Sequence, residues 1–183
     1  KERNVEFLKD VVRKIWKAIK GAENYLFDLF PALNDSRYPR LPEEITFMHA
    51  EELLARYPDL PRKERETRIL QEIPALFLIG IGWQLADGYP HEMRAPDYDD
   101  WVTPTVNEKG APMHGLNGDI LVWNPVTKRR HELSSMGIRV NADTLKQQLK
   151  ICGLEHFLQY PYHQAIVHDE LPLSIGGGIG QSR

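Results

Sequence analysis

From position 5 to position 30 the apolar residues Leu8, Val11, Val12, Ile15, Trp16, Ile19, Leu26 and Phe30 recur at three- and four-residue steps. That spacing lines one face of a helix, so a long amphipathic helix is predicted over 5–30, ended by Pro31, which has no N–H with which to continue it. A polar, proline-bearing link (34–42) leads to a short strand at 45–49. Helical stretches at 50–57 and 62–72 follow, punctuated by Pro58 and Pro74. The apolar run 75–83 is too short and too glycine-rich for a good helix and reads as a buried strand within a sheet.

Between 86 and 118 the periodicity lapses, and the stretch reads as one long loop, a length that is usually functional in a compact domain. Short strands at 119–124 and 131–136 then join through Asn124-Pro125-Val126-Thr127 as a hairpin. Asn141 or Asp143 caps a helix running to about 151, and a last helix covers 163–170, closed by Pro172. Strands that do not alternate regularly with helices, and the absence of an internal repeat, predict an α+β fold rather than a doubly wound sheet.

Composition narrows the function classes. With 183 residues, 42% of them apolar, the chain suits one domain. A net charge of -3 supplies no global basic field of the kind that draws proteins to nucleic acid or anionic membranes. No stretch resembles a signal peptide or a membrane span, so no membrane association is expected. Cys152 is the only cysteine, which excludes an internal disulfide and suits a reducing, cytoplasmic address. The chain starts at Lys1 and stops inside a glycine-rich run, so a portion of a longer protein is expected: a single catalytic domain over 1–183 without the N- and C-terminal segments.

Candidate chemistry lies in four places. A hairpin turn centred on Pro125-Val126 would set Asp119 opposite Glu132, and two opposed carboxylates repel unless a cation sits between them. Magnesium carried in with a nucleotide triphosphate fits such a pair, because it takes one or two carboxylates together with phosphate oxygens. On spacing alone, a solvated hairpin with Arg130 and Lys128 quenching the charge is the better reading. Downstream, Ser135 suits a substrate carboxylate or a metal-bound water, and Arg139 a phosphate. By itself Arg139 reads as a surface ion-pair partner. The acids Asp97, Asp99 and Asp100 beside Tyr98 and Trp101 suit the ammonium group of an amino acid, or the deprotonation of ammonium, though a solvated acidic turn is the commoner occupant of such a sequence.

The terminal run Gly176-Gly177-Gly178-Ile179-Gly180-Gln181-Ser182-Arg183 alternates glycine as on a strand. A flat ligand could lie against that bare backbone, with Arg183 on a base or a phosphate. It is neither a dinucleotide-binding fingerprint nor a P-loop. The histidines lack zinc-site spacing: His91 has no second histidine four residues on, and His163 and His168 are five apart. Cys152 reads as a structural thiol.

Taken in order, APDYDDW (95–101), LNGDILVWNP (116–125), ELSSMGIRV (132–140), ADTLK (142–146) and GGGIGQSR (176–183) closely resemble ammonia-dependent asparagine synthetase, the aspartate-ammonia ligase. Earlier stretches, EELLARYPDL (51–60) and FLIGIG (77–82), agree, so the resemblance spans essentially the whole chain. It implies a core similar to class II aminoacyl-tRNA synthetases, an antiparallel sheet flanked by helices, in a homodimer. The implied reaction joins ATP to the aspartate side chain as an adenylate, releasing pyrophosphate, and ammonia then displaces AMP to give asparagine.

The resemblance implies ATP contacts at Asp119, Glu132, Leu133, Ser135, Arg139, Gly180 and Arg183, with Asp119 and Glu132 also holding Mg2+. Aspartate would meet Asp99, Asp100, Ser135 and Gly178, and the catalytic groups would be Asp99, Arg139 and Arg183. Two departures stand out. Ser182 occupies the place where class II enzymes usually carry an acid, and the segment 103–114 is longer than the family's usual connection. Rival readings are an aspartyl- or asparaginyl-tRNA synthetase core, and a synthetase-like protein that binds without catalysing.

Overall fold

The structure, a computed structural model, describes residues 2–107 and 109–180. Helix α1 spans Val5–Leu29, one residue short of the predicted end; Asn4 caps it by accepting a 2.8 Å hydrogen bond from the Phe7 N–H. Strand β1 (Thr46–His49) follows, then α2 (Ala50–Arg56), α3 (Arg62–Glu72) and β2 (Ala75–Ile79). The predicted strand 75–83 stops at Ile79 because Gly80 and Gly82 take positive φ angles of 82° and 111° and turn the chain out of the sheet.

The stretch read as one long loop contains structure. Its far part forms a hairpin of β3 (Pro104–Val106) and β4 (Pro112–His114), and β5 (Asn117–Asn124) has begun before position 118. After β6 (Arg129–Ile138) come α4 (Ala142–Ile151), a 3-10 turn at Glu155–Gln159, α5 (Pro161–Val167) and β7 (Ile175–Ile179). Asn141 and Thr144 cap α4 reciprocally. The last helix thus begins two residues before the expected 163 and ends at Val167, before Asp169, which has a φ of 56°.

The main sheet has the order β1-β2-β5-β6-β7. It is antiparallel from β2 to β7, while β1 joins parallel to β2, so the expected antiparallel sheet carries one parallel edge. Alternation divides it cleanly. Phe77, Ile79, Ile120, Val122, Met136 and Ile138 face α1, whose Leu8, Val12 and Trp16 bury against them. Leu76, Leu78 and Leu121 point the other way, under α2 and α3. Beyond that cover, over β6 and β7, the same face carries Ser135, Gly137, Gly176 and Gly178, side chains too small to fill the space above them. Among the described residues no helix is long and apolar enough to cross a membrane.

Candidate active site

The hairpin register differs from the expected one. Asn124 accepts hydrogen bonds from the Val126 and Thr127 N–H groups, both at 3.0 Å, and so nucleates a turn over 125–128 that ends with Lys128 at φ 53°. Trp123 therefore faces Arg130 rather than Lys128, and Leu121 rather than Asp119 faces Glu132. A bulge between Ile120 and Leu121 then skips Leu133, so Asp119 pairs with Ser135. The bulge also aligns the chemistry. Asp119 and Leu121 share a face, so their partners Ser135 and Glu132 share it too, although they lie three apart on β6. The Leu133 side chain packs on the α1 side, so only its backbone borders the open face.

Asp119, Ser135 and Gly178 consequently form one row across three strands of the open face. A Cβ built on Gly178 would meet nothing within 4 Å. The next row is Asn117, Gly137 and Gly176, and two charged side chains lie over it. A Cβ at Gly137 would come within 2.8 Å of the Asp99 Cγ, and one at Gly176 within 3.1 Å of an Arg139 terminal nitrogen. The bare backbone is what admits them.

Asp99 owes its place to backbone pairing. It bridges Arg139 in antiparallel fashion: the Asp100 N–H donates to the Ile138 carbonyl (2.9 Å) and the Val140 N–H to the Tyr98 carbonyl (2.8 Å). From α4 the fully buried Gln148 donates to the Pro96 and Asp99 carbonyls (2.9 and 3.0 Å) and accepts from the Trp101 N–H (2.8 Å). The Arg139 guanidinium donates to the Asp99 carboxylate at 2.6 Å. Burial raises the pKa of Asp99, against the opposing pull of Arg139 and Arg94.

Asp100, its neighbour, points away, as adjacent residues on an extended chain must. It is 0% exposed, pairs with Arg3, and accepts from the Thr103 hydroxyl (2.6 Å) and the Thr103 and Val102 N–H groups. Its carboxylate serves the fold, whereas Asp99 reaches the open face.

Asp119 is 4% exposed, and burial pushes its pKa up to about 6. Arg94 and the Ser135 hydroxyl pull it down and the nearby Glu132 carboxylate raises it further. Two carboxylates in each other's field, on an open face, suit a divalent cation. The sequence pattern does not single out Arg94, which donates to Asp119; the available signal is its position directly before the APDYDDW string. Nearby, Arg130 pairs with the buried Glu66 of α3 (2.9 Å), which also meets His91 Nε2 (2.9 Å). Burial works against the charge on Glu66, but His91, Lys63 and Arg130 outweigh it and hold its pKa below the ordinary value. His91 is thus a fold contact, and burial raises the pKa of the Cys152 thiol, away from nucleophile character. Gly180 follows directly on β7; Arg183 lies outside the described residues.

A profile of the family described as aspartate-ammonia ligase matches residues 1–183, the entire chain. The chain belongs to the aspartate-ammonia ligase family. Two solved structures share this chain's fold. Asparaginyl-tRNA synthetase from Entamoeba histolytica in complex with asparaginyl-adenylate superposes with a TM-score of 0.61 at 15% identity over 93% of this chain. A second structure of that synthetase gives 0.60 at 16% identity, also over 93%. The chain spans 38% of the length of each. At such identities the likeness is one of fold: an α+β core with a helix-flanked sheet.

Proposed function

We propose that this chain is the adenylate-forming part of an enzyme that makes asparagine from aspartate, ammonia and ATP. The supporting observation is the adjacency of two charged constellations on one bare sheet face. Asp119 and Ser135, with Glu132 beside them, suit a metal-bound nucleotide; Asp99 and Arg139, one row away, suit an amino acid and the phosphate it attacks. Membership of the aspartate-ammonia ligase family supports these substrates.

In the first step an oxygen of the aspartate side-chain carboxylate bonds to the α-phosphorus of ATP as the bond to the β-phosphate oxygen breaks and pyrophosphate leaves. In the second, ammonia attacks the acyl carbon, the carbon–oxygen bond to phosphate breaks, and AMP departs as the new amide loses a proton. Asp99 receives the α-ammonium of aspartate; Arg139 supports the phosphate through its planar fork. Ser135 stands at the junction of nucleotide and aspartate, with Gly178 and Gly180 leaving the floor bare. Asp119 and Glu132 would hold a magnesium ion, which supplies positive charge to the phosphate oxygens. Arg183 serves the phosphates in the same proposal, as does Leu133 through its backbone. A homodimer in the cytoplasm, acting without nucleic acid, completes the reading.

The test is product formation by the intact protein. Asparagine and AMP released from aspartate, ATP and ammonium without tRNA support the proposal. Product appearing only on tRNA would replace it with a tRNA synthetase, and no turnover with a binding protein.

A further inference from the structure

The loop that brings Asp99 to the open face also brings Arg94, whose guanidinium donates to Asp119. Asp119 is nearly buried and lies in the field of Glu132, so its carboxylate calls for a cation even without nucleotide, and Arg94 supplies one. Arg94 also lies in the field of Asp99. It therefore stands between the nucleotide acids and the acid beside the amino acid, the region where the α-phosphorus must lie if a substrate carboxylate is to attack it.

Two details suggest that its present contact is not its last. The Arg94 Nε is buried and has no acceptor among the described residues. An unpaired buried donor is destabilising, and an arriving oxyanion would relieve it. The base of the side chain, by contrast, is fixed: Arg94 Cβ and Trp101 both crowd the space over Gly82, where a Cβ would lie 3.1 and 2.8 Å from them. Any change of partner is thus confined to the outer torsions.

We propose that Arg94 is a stand-in cation. In the nucleotide-free protein it neutralises Asp119; when magnesium arrives with ATP it yields that carboxylate and turns its fork to the α-phosphoryl oxygens. The inference rests on the function proposed above, which supplies the nucleotide and the metal. Its consequence is a competition: the metal alone displaces a held arginine, whereas the metal with ATP offers that arginine another anion, so the two ligands bind with positive coupling.

The experiment titrates the intact protein with Mn2+ alone, following free Mn2+ by electron paramagnetic resonance, for the parent, Arg94→Met and Arg94→Lys, each shown folded by circular dichroism. Arg94→Met is expected to bind Mn2+ about tenfold more tightly than the parent, since a competing charge has gone. Arg94→Lys should fall between, a point charge gripping a carboxylate less firmly than the fork. Aspartate-dependent exchange of pyrophosphate into ATP should fall at least about a hundredfold in Arg94→Met. Mn2+ affinity in both variants equal to or below that of the parent, or undiminished exchange in Arg94→Met, overturns the proposal. A parent that shows no aspartate-dependent exchange defeats the adenylation reading instead, and the Mn2+ titration still reports whether Arg94 competes for Asp119.

Discussion

Asp99 and Arg139 face each other across a single antiparallel bridge, and their side chains meet at 2.6 Å directly above Gly137 and Gly176. The ion pair thus lies against bare main chain, and the glycines beneath it leave it room. The strand of Gly176 also carries Gly177, which faces the opposite way, so the two faces are separable by mutation.

Gly177→Ala and Gly178→Ala, adjacent substitutions, should fail differently. A Cβ at Gly177 would run into the neighbouring strand β6, 2.6 Å from the Ser135 carbonyl and against Met136, so the variant should lose about 1–3 kcal/mol in urea denaturation. A Cβ at Gly178 enters open space on the site face, so stability should stay within about 0.5 kcal/mol while the KM for ATP or aspartate rises. Unchanged KM values in Gly178→Ala would remove the row from the substrate floor.

Gly137→Ala tests the ion pair itself. The methyl group would lie 2.7 Å from Asn117 Cβ and 2.9 Å from an Asp99 oxygen, so the carboxylate has to move. Aspartate-dependent pyrophosphate exchange should drop at least about tenfold, since a displacement of about 1 Å disturbs a reacting geometry that severely. Parent-like exchange would mean that the position of Asp99 is immaterial.

Asp119 gives a pH signature. Its pKa is raised from 3.8 to about 6, chiefly by burial, so between those values the folded protein keeps a proton that the unfolded chain has released. The stabilisation from protonated Asp119 is complete below about pH 3.8 and is lost as pH rises through about 6, at most about 3 kcal/mol in all. Asp119→Asn should therefore be the more stable protein at pH 7.5 by about 1–3 kcal/mol, with the gap closing near pH 4. Urea midpoints across that range check this, and a parent that gains on Asp119→Asn as pH rises would contradict it.

Much of this arrangement is legible in the sequence where side-chain character alone decides the outcome. The apolar steps from Leu8 to Trp16 and the stop at Pro31 place α1, and the run around Phe77 and Leu78 places an interior strand. The hairpin register was hidden because it turns on backbone events: an Asn124 turn and a bulge at Leu133 leave the apolar pattern almost unchanged while moving the partner of Asp119 from Glu132 to Ser135. The β3–β4 hairpin escapes notice because its three-residue strands each begin with proline. Arg94 reaches Asp119 from 25 residues away, a pairing that local spacing does not encode.

Asp99 and Asp100 are the sharpest case of what one-residue alternation does to function. Sequence proximity suggests a shared role, yet one carboxylate opens onto the site and the other is consumed by Arg3, Thr103 and Val102. Asp100→Asn should leave Arg3 without its counter-charge and cost about 3 kcal/mol or more, with kcat retained in whatever fraction folds. Asp99→Asn removes a buried charge that burial already disfavours, so its stability should stay within about 1 kcal/mol of the parent. Its pyrophosphate exchange should nevertheless fall about a hundredfold, and raising ATP should not restore it, because what is missing is the grip on aspartate. Urea denaturation paired with exchange kinetics separates the two. If Asp100→Asn were as stable as the parent but inactive, the amino-acid site would have to be redrawn around Asp100.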